Sequence, residues 1–231
     1  MKVQFFNTYD GVLEAWPIEP MAKAIPNWVR SARDDFVSTK HDRRTHVYKC
    51  SGIGELYKTG FVVRAWHDFY VDADERELKV TLPSSGLSDR AFDIQHGDTI
   101  AKFIPRRPWS SKTILKLNTP WHVIAPCKLL MLPVSYPDSH VFESCIGILD
   151  PAISTELNIQ LFWNALGCRT QVNAGTPLCQ LVPICDEAVE LEVRNANPKD
   201  IEWLKKRHYI INMAFTSNIK KMKEMYHKLW S

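Results

Sequence analysis

Proline and glycine fall in nearly every gap between the short apolar runs of residues 60–184. A helix cannot run through so many prolines, because each one removes a backbone donor and clashes with the preceding turn. The chain is therefore expected to be mainly β. Gly60-Phe-Val-Val-Arg-Ala-Trp66 and Phe69-Tyr-Val71 read as strands, and Glu77-Leu-Lys-Val-Thr-Leu82 alternates with the two-residue period of a half-buried strand. Pro83-Ser-Ser-Gly86 is a turn cluster. Further strands are predicted at 99–104, 113–117, 121–125, 129–133, 145–149, 157–163 and 178–184. Many short strands with frequent turns point to a jelly-roll or β-clip-like sandwich.

Two helical segments interrupt this pattern. Trp28, Val29, Ala32 and Phe36 recur at helical spacing, predicting a short helix near 27–36. From residue 197 the chain changes character. Asn197-Pro198 opens a helix, with Asn as N-cap, Pro at the first helical position and Asp200 in the first turn. Met222, Met225, Tyr226, Leu229 and Trp230 then fall at i, i+3, i+4, i+7 and i+8, one stripe along a second helix. The predicted organisation is a β-rich domain, 1–196, and a basic amphipathic helical tail, 197–231, packed on that domain or on a neighbouring subunit.

Charge and composition narrow the function classes. With 45% hydrophobic and 24% charged residues, the chain has the balance of a globular protein. Its net charge is +3, and residues 199–231 hold eight Lys/Arg against three Asp/Glu, leaving the rest at −2. So mild an excess makes nucleic acid an unlikely partner for the body, and leaves single-strand binding through the tail as one alternative. No apolar run approaches the roughly 20 residues needed to cross a bilayer, and the first ten residues lack an apolar signal region. The expected location is a cytoplasm, with no membrane. The six cysteines are scattered among apolar neighbours without zinc-site spacing and are expected to be buried free thiols.

Motifs for chemistry are sparse. His67-Asp68 would put its side chains on opposite faces of a strand, the wrong spacing for a metal pair. Ser84-Ser85 lacks a nucleophile elbow, and no glycine-rich phosphate loop is present. Pro105-Arg-Arg-Pro-Trp109 combines cations with an aromatic ring, a combination that suits single strands but equally a solvated loop.

One longer constellation does carry a resemblance. Gly147-Ile-Leu-Asp150 precedes the alternating strand Leu157-Asn-Ile-Gln-Leu-Phe-Trp-Asn164, and then comes Val172-Asn-Ala-Gly-Thr-Pro-Leu-Cys-Gln-Leu-Val-Pro-Ile184. This resembles the later half of the dUTPase and dCTP deaminase group. The resemblance implies a pyrimidine-nucleotide reading in which Asp150, Ser84, Ser85 and Gln180 contact the nucleotide and magnesium sits on its phosphates. On physical grounds Gly175 would permit a tight turn, and Gln180 would hold buried backbone groups by hydrogen bonds.

A second resemblance covers most of the chain. Tyr48-Lys-Cys-Ser-Gly-Ile-Gly-Glu-Leu-Tyr-Lys-Thr-Gly60, Trp66-His-Asp68, Leu115-Lys-Leu-Asn-Thr-Pro-Trp121 and Gly175-Thr-Pro-Leu-Cys-Gln180 are similar to uncharacterised proteins of large tailed phages of marine bacteria. The resemblance implies a viral origin and no particular activity. Taken together, the residues favour a phage-encoded, non-enzymatic β protein without a cofactor. It would act by assembly, as a homo-oligomer such as a trimer, or by binding a virion or host protein. Met222, Met225, Tyr226, Leu229 and Trp230 are the expected interaction stripe.

Overall fold

The computed structural model describes residues 1–38, 46–83, 91–99, 102–213 and 218–230, with backbone alone for 208–213 and 218. It is mostly β. The strands are β1 (Lys2–Asn7), β2 (Glu19–Pro20), β3 (Phe61–Arg64), β4 (Phe69–Ala73), β5 (Leu78–Thr81), β6 (Phe92–Gln95) and β7 (Ile114–Ile124). They continue as β8 (Leu129–Leu132), β9 (Phe142–Ser144), β10 (Gly147–Leu149), β11 (Glu156–Trp163), β12 (Cys168–Val172), β13 (Pro177–Pro183) and β14 (Glu190–Asn195). The helices are α1 (Val12–Ala15), α2 (Asn27–Ser38), α3 (Ser51–Lys58), α4 (Pro198–Met213) and α5 (Asn218–Trp230). Two 3-10 turns, Met21–Ala24 and Val47–Lys49, complete the set among the described residues.

Three sheets result. Sheet A runs β14-β1-β7-β11-β9, with β6 also on β7; sheet B runs β10-β8-β13-β3-β2; sheet C is β12-β4-β5. Alternation places Leu157, Ile159, Leu161 and Trp163 of β11 inward while their neighbours stay half-exposed. They join Phe5, Leu115, Leu117, Trp121 and Val123 of sheet A against Phe61, Val63, Leu129, Met131 and Leu181 of sheet B. Phe5 meets Phe61 edge-on across this core, with ring centroids 5.5 Å apart. The opposite face of sheet A is covered by the C-terminal helices, where Phe6, Ile124 and Ala152 pack with Trp203 and Tyr226. The opposite face of sheet B is covered at its β3 end, where Val62 packs with Met21, Ala24 and Tyr57.

Residues 113–117 and 121–125 read as two strands because Pro120 separates them, yet they belong to the single strand β7. The side of β7 opposite β11 is shared: β6 pairs with 114–117 and β1 with 121–124. Across from β11 the register slips between Glu156 and Asn158, so the Thr119-Pro120 region bulges. The Thr119 hydroxyl bridges the gap left by the proline. It donates to the Leu157 carbonyl at 2.8 Å and accepts from the Trp121 N–H at 3.2 Å. Thr119→Val keeps the shape but removes both bonds in a buried place, so it should cost about 2 kcal/mol in urea denaturation. An unchanged midpoint would show that the strand holds without the hydroxyl.

The strand expected over 99–104 is not formed where the chain is described: Thr99, Lys102 and Phe103 lie in turns, and 100–101 are outside the described residues. Strands β12 and β14 went unpredicted. At Gly175, φ is +86°, and a Cβ there would lie 2.3 Å from the Trp16 ring. The turn between β12 and β13 therefore demands glycine on both backbone and packing grounds. Of the six free cysteines only Cys179 is buried, while Cys50 and Cys168 are exposed. No helix among the described residues is long and apolar enough to cross a membrane.

Candidate functional site

Of the nucleotide-reading residues the structure describes Asp150 and Gln180. Asp150 follows β10 and is held inside the chain: its carboxylate accepts from the Ala152 N–H at 3.1 Å and from the Lys223 ammonium at 2.9 Å. Gln180, buried on β13, donates through Nε2 to the carbonyls of Leu56 (2.9 Å) and Thr59 (2.7 Å), fastening the end of α3 to sheet B. Neither residue lines the large cavity of the molecule. Ser84 and Ser85 lie outside the described residues.

His67 and Asp68 sit between β3 and β4 rather than on a strand. Asp68 accepts from the Ala174 N–H at 2.6 Å, and the His67 Nδ1 lies 2.8 Å from the Asp68 carbonyl oxygen. Among the described residues no group of three or more His, Cys, Asp or Glu is placed to hold a metal ion. In the Pro105–Trp109 run, Trp109 is exposed and Arg107 is paired with Glu143 at 3.2 Å.

The stripe on α5 faces the chain's own body. Met222 and Tyr226 are buried, and Met225, Leu229 and Trp230 pack against the cluster around Trp203. The Tyr226 hydroxyl accepts from the Ala125 N–H at 2.9 Å and donates to the Ala125 carbonyl at 3.0 Å. An intermolecular role for Met222 and Tyr226 would need the helix to leave this seat, while Met225, Leu229 and Trp230 are only partly buried in it.

An exposed apolar surface lies at the β10 edge of sheet B. The chain leaves β9, which pairs with β11 in sheet A, and within three residues enters β10, which pairs with β8 in sheet B. This corner turns Ile146 and Ile148 outward, at 69% and 63% exposure. Cross-strand register places Ile148, Leu130 and Val182 in one row. The row shares the face of Gln180 and Val62, since Val182 and Gln180 are two residues apart on β13 and Gln180 pairs with Val62. At the β3 end that face lies under α3 and the Met21–Ala24 turn. At the β10 end Ile148 is exposed, and Leu130 and Val182, both half-buried, join none of the three apolar clusters of the described residues. Ile184, half-exposed just beyond β13, extends the patch.

Two properties coincide here. A contiguous apolar surface favours burial by another molecule, at roughly 25 cal/mol per Å² removed from water. An edge strand offers unpaired backbone donors and acceptors in register for a further strand. Sequence reading missed the site, although Ile146-Gly-Ile148 held a faint signal in its two apolar residues of like parity. The fold and site define a mostly β protein with one sheet half-covered and open at its edge. No family model matches the chain, and no curated protein matches it.

Proposed function

We propose that this chain is a non-enzymatic β protein that works by assembly, pairing with a second copy of itself through β10. The apolar row Ile148–Leu130–Val182, exposed at Ile148 and half-buried at the other two, on an edge strand carries the reading. Two β10 strands meeting antiparallel about a twofold axis would continue sheet B from one copy into the next. The two apolar rows would then abut and cover one another, an isologous contact. The layered sheets suit a jelly-roll or β-clip-like domain over 1–196 with a basic helical tail, 197–231, seated on it. The resemblance to phage proteins supports a phage-encoded component that acts in the virion or on a host protein.

Ile148→Lys tests this directly, because the position is exposed in the single chain and the fold should tolerate it. At a self-paired edge the same change places two like charges side by side in an apolar contact. The expected penalty is about 3 kcal/mol, roughly a hundredfold in Kd. Light scattering after size exclusion should show an assembled native chain and a monomeric, folded variant. A native chain that stays monomeric, or a variant that assembles equally well, would overturn the reading. A melting temperature raised several degrees by one pyrimidine nucleotide with magnesium would replace it with the nucleotide reading, since only binding to the native state raises stability in this way. Affinity for single strands that falls steeply with salt would point to the tail instead.

A further inference from the structure

A cavity of about 810 Å³ opens between the segment 133–144, the start of α2 and the turn joining β12 to β13. Its volume is within the usual range for small-molecule sites. We propose that it binds a small organic anion with an apolar body, and this reading is independent of self-assembly through β10.

The walls are pre-shaped. Three unrelated hydrogen bonds pin the segment that forms one side. The Tyr57 hydroxyl donates to the Ser135 carbonyl at 2.8 Å, and the Trp28 indole N–H donates to the Tyr136 carbonyl at 2.9 Å. The Asp138 carboxylate accepts from the Asn27 N–H at 3.0 Å. Between these anchors Tyr136 holds φ at +47°, where it is the one non-glycine residue with positive φ among those described. That conformation costs about 1–2 kcal/mol and leaves the ring 60% exposed at the cavity mouth. A strained backbone held by surrounding bonds, presenting an aromatic ring beside a cavity, is a pattern that clusters at ligand sites.

The chemistry of the lining selects the ligand. Leu132, Val134 and Leu178 supply an apolar wall. Of the acidic groups there, Asp138 already caps α2 and Glu143 already pairs with Arg107. Arg64 is likewise engaged, donating to the carbonyls of Gly175 and Lys23. The side chains of Lys23 and Arg30 stand at the rim, exposed, with no hydrogen-bond or ionic partner among the described residues. Asp138 is held by a backbone N–H and has no ionic partner among the described residues, so the lining sets two unpaired positive side chains against one such carboxylate, a net positive balance. The fitting ligand thus has an anionic head at Lys23 and Arg30 and an apolar body against Leu132, Val134 and Leu178.

The probe is 8-anilinonaphthalene-1-sulfonate, titrated into the full chain by fluorescence, with octanoate and inorganic phosphate as competitors. The expected result is saturable binding near one per chain that octanoate displaces and phosphate alone does not. The double variant Lys23→Glu, Arg30→Glu should weaken binding about tenfold or more with an unchanged melting temperature, because both side chains are exposed and unpaired. Ile148→Lys serves as the control for dye bound at the β10 edge of sheet B. The proposal is overturned if no saturable binding occurs, if the double variant binds as tightly as the native chain, or if Ile148→Lys alone abolishes the signal.

Discussion

Lowering the pH from 7 to 4 should remove roughly 3 kcal/mol of folding stability through His122 alone. This side chain lies on β7 beneath α4, 7% exposed, stacked on Phe6 with ring centroids 5.0 Å apart. Its Nδ1 is 3.4 Å from the Thr155 hydroxyl, which also accepts from the Trp203 indole N–H at 3.3 Å. Burial pushes the imidazole pKa down to about 4 from an ordinary 6.5, with Arg207 pressing in the same direction and Glu156 and Asp200 opposing. Between those values the unfolded chain binds a proton that the native chain refuses, so stability falls as the pH drops through 6.5 and levels off near 4. The measurement is urea denaturation at several pH values on the native chain and on His122→Gln. The native chain should lose stability more steeply across this window, and equal slopes would remove His122 as the cause.

Replacing Asp200 by alanine should cost about 3 kcal/mol. Its carboxylate, wholly buried, accepts from both terminal nitrogens of Arg194 on β14 and from the Asn197 N–H at 2.7 Å. In return the Asn197 side chain accepts from the Asp200 N–H at 3.1 Å, a reciprocal cap at the start of α4. One carboxylate thus joins a strand of sheet A to the helix that delivers Trp203 into the second apolar cluster. Alanine leaves the guanidinium without its partner and the helix end without its acceptor. Adding Arg194→Ala should recover part of the loss, because the orphaned charge is then gone. Chemical denaturation of the two single variants and the double variant tests this. Strictly additive losses would show that the pair is not coupled.

The start of α4 was legible because Asn197, Pro198 and Asp200 act through local geometry that three adjacent residues determine. The strand β11 was legible because its alternation reports one buried face. Strand β14, Glu190-Leu-Glu-Val-Arg-Asn195, was not, since its half-buried pattern carries three charges that look like a solvated loop. It pairs with β1, about 190 positions away, and no local signal encodes that partner. The β7 bulge escaped for a related reason: Pro120 advertises a break, while the Thr119 hydroxyl that repairs it depends on Leu157 from another strand. The apolar edge was hidden because the exposure of Ile146 and Ile148 follows from the chain changing sheets between β9 and β10. The cavity depends on contacts such as Tyr57 to Ser135 and Asn27 to Asp138, which lie far apart in sequence.

The parallel pairing of β1 with β14 also sets a schedule for synthesis. Translation is vectorial, so Phe5 and Phe6 leave the ribosome before their partners on β7 and β14 and wait. β7 can meet β1 only after more than a hundred further residues have been made, and β14 can flank it only after about seventy more. Closing such long loops before their contacts are rewarded makes folding slow. A strand made before both of its partners is therefore among the last to be fully enclosed, and its two phenylalanines are the natural place for a holding chaperone to grip.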